Sequence, residues 1–169
     1  MKKILVGLIT ALLFIGCSSD KEAEVAVEVT PTLVVGKSLA ALKLADQFEA
    51  EHTIDAGTKQ VIFVFSDDMG HLANDYLATK EASYLADNNT QFVADISGAP
   101  SLIRSMFIMP GLKDFKHTVL LLTEKELSAP YRSGIDTEKV VVVSTDNGVI
   151  SKVSTLTTLE ELIAVIEAK

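Results

Sequence analysis

The chain has 169 residues, with 15 lysines and arginines against 23 aspartates and glutamates, a formal net charge of −8 and one cysteine, Cys17. So acidic a balance argues against nucleic-acid binding, which needs clustered cations to neutralise phosphates. A single cysteine excludes an internal disulfide, and the length suits one principal domain with one core.

Met1-Lys2-Lys3 precedes an apolar run, Ile4–Ile15, that ends at Gly16-Cys17. Two cations, a short apolar stretch and a small residue are the layout of a secretory signal. The run is too short to span a bilayer as a helix, which takes about 20 residues. Phe14-Ile15-Gly16-Cys17 resembles the bacterial lipobox, with Phe14 where leucine is usual. The resemblance implies cleavage before Cys17 and acylation of its thiol, with residues 1–16 as signal peptide. The folded part would then hold no thiol and could neither exchange disulfides nor use a cysteine nucleophile. Ser18 after the cysteine, by analogy with lipoprotein sorting, points to the outer membrane, facing the periplasm. Without residues 1–16 the balance becomes 13 basic against 23 acidic side chains, or −10. Anionic lipid would repel such a domain, so acyl chains must hold it.

Residues 17–36 read as the lipidated cysteine and a polar tether, with Val25–Val29 as a spacer or short edge strand. Residues 37–169 read as the domain. Ser38 opens a helical pattern with Leu39, Leu42, Leu44, Ala45 and Phe48 as its stripe, ending near His52. Gln60–Ser66 is a β-branched and aromatic run without alternation, the mark of a strand buried on both faces. Helix returns from about His71 to Asp87, with Ala73, Leu77 and Tyr84 on one face, and Gln91–Ile96 is a second strand. Together they form a βαβ unit. A short helix over Ser101–Phe107 starts after Pro100 and stops at Pro110-Gly111. Thr118–Thr123 is a strand and Glu124–Glu138 a loop. Val140–Ser144 and Val149–Val153 form a hairpin around Asp146-Asn147-Gly148. Thr157 or Thr158 with Glu160 or Glu161 makes a capping box for a last helix striped by Leu159, Leu162, Ile163 and Ile166.

This order resembles the thioredoxin fold over Ser38–Lys169. The resemblance implies an α/β domain with a central mixed sheet of four to five strands, helices on both faces and a C-terminal hairpin plus helix. The thioredoxin active site lies where the first core strand meets its helix, and carries two cysteines separated by two residues. Here Ser66 and Met69 have that spacing without the chemistry. The family's cis-proline has no counterpart either: Pro110 stands too far before Thr118, and Ile135-Asp136-Thr137 lacks a proline. The redox function is therefore not implied, and no cofactor is.

Asp67, Asp68 and His71, with Met69, stand where a strand ends and a helix begins. They could hold a divalent cation, while the simpler reading is that Asp67 or Asp68 caps the helix. Met69, Met106 and Met109 with His71 or His117 could form a soft Cu(I) site, although methionine is commonly core filler. Arg104 and Arg132 could take an anion or form surface ion pairs. Ser97-Gly98 could approach a ligand or simply turn the chain.

Three functions stay open. The first is a redox-silent envelope lipoprotein that binds a protein partner and contacts the bilayer through Cys17. The second is a metal handler. The third is an enzyme or ligand binder with a pocket near residues 66–71 and 97–100.

Overall fold

The computed structural model describes residues 29–168, so the signal and lipidation readings and most of the tether lie outside the described residues. Five strands form one sheet in the order β5-β4-β3-β6-β7. They are β3 (Gln60–Val64), β4 (Thr90–Asp95), β5 (Leu120–Leu122), β6 (Val140–Asp146) and β7 (Val149–Leu156). β3 is the axis: β4 runs parallel on one side and β6 antiparallel on the other. β5 extends the parallel side and β7 pairs back on β6. This is the mixed sheet with a closing hairpin and helix that the element order implies.

Strand alternation sends successive side chains to opposite faces. Val61, Phe63, Val93, Leu120, Leu122, Val141, Val143 and Ile150 build one core. Ile62, Val64, Phe92, Val119, Leu121, Val140, Val142 and Leu156 build the other. The second core is covered by α1 (Asp67–Ala78), α2 (Tyr84–Asp87) and α6 (Leu159–Ile166) through Ala73, Tyr76, Leu77, Leu85, Leu162 and Ile166. The capping box of α6 is present, with Glu161 N–H donating to Thr158 Oγ1 at 3.2 Å and Thr158 N–H donating back to Glu161 Oε2 at 3.2 Å. At the β6–β7 turn Asn147 and Gly148 have φ of 51° and 76°, the left-handed pair that a two-residue hairpin needs.

Five expectations are corrected. The expected helix from Ser38 is instead extended chain and a small hairpin, β1 (Lys43–Ala45) with β2 (Glu51–Thr53). Leu39, Leu42 and Leu44 are buried, but Lys43 and Ala45 are exposed, so the period there is two. Phe48, expected on the stripe, is 61% exposed. Asp46 reverses the chain: its Oδ1 accepts from the N–H groups of Phe48 at 2.8 Å and Ala50 at 3.0 Å. Its Oδ2 meets His52 Nε2 at 2.8 Å. Beside it Gln47, fully buried, donates to His117 O at 2.7 Å and accepts from Val119 N–H at 2.8 Å, so a side chain pairs with backbone at the start of β5. An aspartate that offers the backbone a closed turn competes with helix locally.

The helix expected from His71 to Asp87 begins four residues earlier and divides into α1 and α2. Ser66 is its N-cap without a side-chain bond, and Asp67 and Asp68 lie in the first turn rather than at the cap. There they face the positive end of the helix dipole.

The expected stop at Pro110-Gly111 does not occur. α3 (Ser101–Ile103) widens into a π turn over Arg104–Ile108 and continues as α4 (Met109–Asp114). Pro110 sits in the first turn of α4, where the wide turn absorbs its missing donor. The expected loop after Thr123 contains α5 (Lys125–Arg132), with Pro130 inside it. Burial of Ser128 and Tyr131 holds this short helix, and Tyr131 stacks on Phe63 with ring centroids 6.0 Å apart.

Residues 29–36, expected in the tether, lie against the domain. Thr32 N–H donates to Pro130 O at 2.8 Å, Ser133 Oγ donates to Val29 O at 3.0 Å, and Leu33 is buried.

Replacing Asp46 separates the two structures open to this segment. Asp46→Ala would be neutral or favourable in a helix, since alanine is the best helix former. In the hairpin it strips two N–H groups and His52 of their acceptor. We expect a loss of about 1–3 kcal/mol in urea unfolding at neutral pH. Burial opposes ionisation of Asp46, but His52 and the Phe48 and Ala50 N–H groups outweigh it and lower its pKa. Its contribution is therefore complete at neutral pH and fades as pH falls below about 4.

Candidate functional site

β3, β4 and β5 run parallel and end at one pole of the sheet. In open α/β sheets, that is the pole at which ligands bind. β3 runs out through Phe65 and Ser66 into α1, β4 into Asp95–Ser97, and β5 into Thr123 and α5. Phe65 is buried beneath this pole and stacks on Phe63 with centroids 6.0 Å apart. Arg104, on the π turn, donates to Thr123 O.

Asp95 organises the pole. Its side chain is fully buried, and it accepts from Arg132 Nη1 at 2.7 Å, from Ser97 N–H at 2.9 Å and from Ser128 Oγ. Burial alone would raise its pKa. The hydrogen bonds from Ser128, Ser97 and Arg132 outweigh that and hold the carboxyl below its ordinary range. Arg132 remains 39% exposed, donates also to Phe65 O at 3.4 Å, and lies 5.8 Å from the Phe65 ring centroid. The pole thus carries a fixed guanidinium on a buried carboxylate. Ser66 Oγ, next along the chain from Phe65, is buried with no hydrogen-bond partner. A hydroxyl there cannot replace a thiol in disulfide exchange.

The residues singled out for metal binding are not gathered into one cluster. His71 Nε2 lies 3.7 Å from Asp67 Oδ2, with both side chains largely in solvent. Among the described residues, no three His, Cys, Asp or Glu side chains are grouped to hold a metal ion. Met69 and Met109 pack against the second core, whereas Met106 is 58% exposed. His117 is buried at the start of β5, with Nε2 2.7 Å from Leu77 O at the far end of α1. Six residues of helix, about 9 Å, separate Leu77 from His71. The structure also moves the pocket. A cavity of about 300 Å³ opens where β4 and β5 begin, at the opposite pole, lined by residues including His52, Thr58, Asn89, Gln91 and Phe92.

Sequence reasoning named Arg132 but missed Asp95 and Ser128. The available signal was a lone carboxylate inside the apolar strand Phe92–Ile96. Its partner on α5 is 37 residues away and lay in a segment read as loop.

Comparison with solved structures agrees with this architecture. The fold is similar to peroxidoxin BcpB from Mycobacterium tuberculosis, with a TM-score of 0.51 and 15% identity over 79% of this chain and 96% of that one. It is similar to the thioredoxin domain of a thiol-disulfide oxidoreductase from Bacteroides vulgatus, with a TM-score of 0.51 and 13% identity over 79% and 99% of the chains. A peroxiredoxin-like protein from Aquifex aeolicus gives a TM-score of 0.52 and 10% identity over 82% and 89%. No protein-family model and no curated protein matches the sequence. The chain has a thioredoxin-like fold, and identities this low speak to fold alone.

Removing the carboxylate charge tests the pole. Asp95→Asn should cost about 1–3 kcal/mol at pH 7, because a buried hydrogen-bonded network loses its acceptor charge. The native-state pKa is lowered, so the parent loses this advantage only in acid. The gap between parent and variant should close as pH falls below about 4, measured by urea midpoints across pH.

Proposed function

We propose that this chain is an exported lipoprotein, held in an envelope membrane by acylated Cys17, whose redox-silent domain works by binding a protein partner. The observation that carries the reading is the pairing of a thioredoxin-like fold with an absence of cysteine among the described residues. Ser66 and Met69 hold the spacing of the family's two cysteines, and the sole cysteine of the chain is Cys17. Serine at this junction keeps the hydrogen-bonding shape of cysteine but is not ionised near neutral pH. The Arg132–Asp95–Ser128 network supports the pole structurally, and no cysteine lies among the described residues beside it.

The lipobox resemblance at Phe14–Cys17 and Ser18 after the cysteine support a lipid anchor in the outer membrane, facing the periplasm. No helix among the described residues is long and apolar enough to cross a membrane. The acidic surface disfavours nucleic acid and suits an envelope protein held by acyl chains.

A small-ligand reading has one observation in its favour, the roughly 300 Å³ cavity beside His52 and Gln91, although it lies far from the strand ends. Metal handling has only the exposed Asp67–His71 pair.

Mass spectrometry of the native protein should find cleavage before Cys17 and acyl chains on the new N-terminus. The purified protein should not accelerate reduction of insulin by dithiothreitol. Detergent-solubilised membranes should yield a stoichiometric protein partner in a pull-down. A free Cys17 thiol would refute the anchor, insulin reduction would refute redox silence, and a clean bait alone would refute the binding role.

A further inference from the structure

Leu102, Ile103, Met106 and Phe107 are 65%, 43%, 58% and 65% exposed. They fall at i, i+1, i+4 and i+5 across α3 and the π turn, so they stack as two pairs along one ridge. Four large apolar side chains in six residues form a contiguous patch, which in a soluble domain marks a contact surface. The surrounding sequence agrees. From Ile96 to Lys113 there is no acidic residue, although the chain carries 23. The only charges in that stretch are Arg104, which reaches back to Thr123 O, and Lys113, which is exposed.

The position of the ridge indicates what covers it. The described chain begins at Val29, whose carbonyl accepts from Ser133 Oγ, while Thr32 N–H donates to Pro130 O. Both partners lie at the end of α5, beside Arg132 and Asp95, at the pole where the parallel strands finish. The ridge opens at that same pole, six residues after β4 ends, with Arg104 on the carbonyl that follows β5. The chain therefore leaves the domain from the pole that bears the ridge. Val29 is twelve residue steps from Cys17, a reach of at most about 40 Å. A domain held that close, from that pole, meets the bilayer surface at high effective concentration.

We propose that the Leu102–Phe107 ridge seats in the interfacial layer of the membrane that holds the acylated Cys17, fixing the domain with its strand-end pole toward the lipid. This rests on the lipoprotein reading. The ridge is an exposed apolar stripe on a helical segment, the kind of face that lies about 5–10 Å deep at the headgroup boundary. Asp67, Asp68 and Glu124 are exposed at the same pole, so zwitterionic lipid is the preferred surface and anionic lipid weakens the contact. The opposite pole, with the cavity near His52, then faces away from the membrane and stays open.

The chain has no tryptophan, so one can be introduced as a reporter. Full-length acylated Phe107→Trp, and Met106→Trp as a second variant, are reconstituted in phosphatidylcholine vesicles containing lipid brominated near the glycerol end of the acyl chain. Phe48→Trp is the control, since Phe48 is exposed beside Gln47 and His117 at the opposite pole. Emission from positions 106 and 107 should shift to the blue and lose most of its intensity to bromolipid. Emission from position 48 should match that in detergent-free buffer. Replacing half the phosphatidylcholine with phosphatidylglycerol should reduce the quenching.

Vesicle-bound protein with equal quenching at 107 and 48 overturns the seating while leaving the anchor intact. A blue shift at 107 without bromolipid quenching assigns the ridge to a protein or a second copy and also overturns it. Protein that never floats with the vesicles overturns the lipoprotein reading, and the seating with it.

Discussion

β3 imposes the main constraint on this molecule. Val61, Ile62, Phe63 and Val64 are all at most 3% exposed, with Val61 and Phe63 on one face and Ile62 and Val64 on the other. A strand buried on both sides needs two covers, and the rest of the chain supplies them. α1, α2 and α6 cover one face. The other is covered by the extended segment Leu33–Ile54 and by Tyr131 of α5. The hairpin at β1–β2 and the early docking of residues 29–36 follow from that need. Without them, the Phe63 face would stand open to water.

The same strand sets the chemistry. It delivers Phe65 and Ser66 to the pole where β4 delivers Asp95 and β5 delivers Thr123. A cysteine at a helix start is made reactive as a thiolate by the helix's positive end. Here the first turn carries Asp67 and Asp68, which disfavour a developing anion, and the N-cap is a serine. Arg132 and Ser128 are turned onto the buried carboxylate of Asp95. The large exposed apolar side chains near this pole, Leu102, Ile103, Met106 and Phe107, lie on α3 and the wide turn at Arg104–Ile108. Single π turns recur at functional positions because the wider turn changes which side chains project together.

Elements whose signals are local were legible. The run Gln60–Ser66 fixed the central strand, Asp146-Asn147-Gly148 fixed the hairpin, and Thr158 with Glu161 fixed the last helix, since each works through neighbours within a few residues. Gln47 shows the opposite case. Leu39, Leu42 and Leu44 suit a helical stripe as well as a strand edge, and the choice fell to contacts of Gln47 with His117 and Val119, 70 and 72 residues away. α5 was hidden for a related reason. Pro130 and Gly134 read as a loop, and the burial of Tyr131 against Phe63 is what holds that segment helical.

By itself, the sequence determined the core strands, the closing hairpin and the last helix, the single cysteine at Cys17, and the acidic balance, because these depend on residue identity and local period. Only the tertiary structure decided that Asp95 holds Arg132 and Ser128, that His71 and His117 lie apart, and that the cavity opens at the far pole. Those outcomes depend on which distant segments meet across the sheet. Burial and hydrogen-bond satisfaction settle such meetings over the whole molecule, and no short window of residues records them.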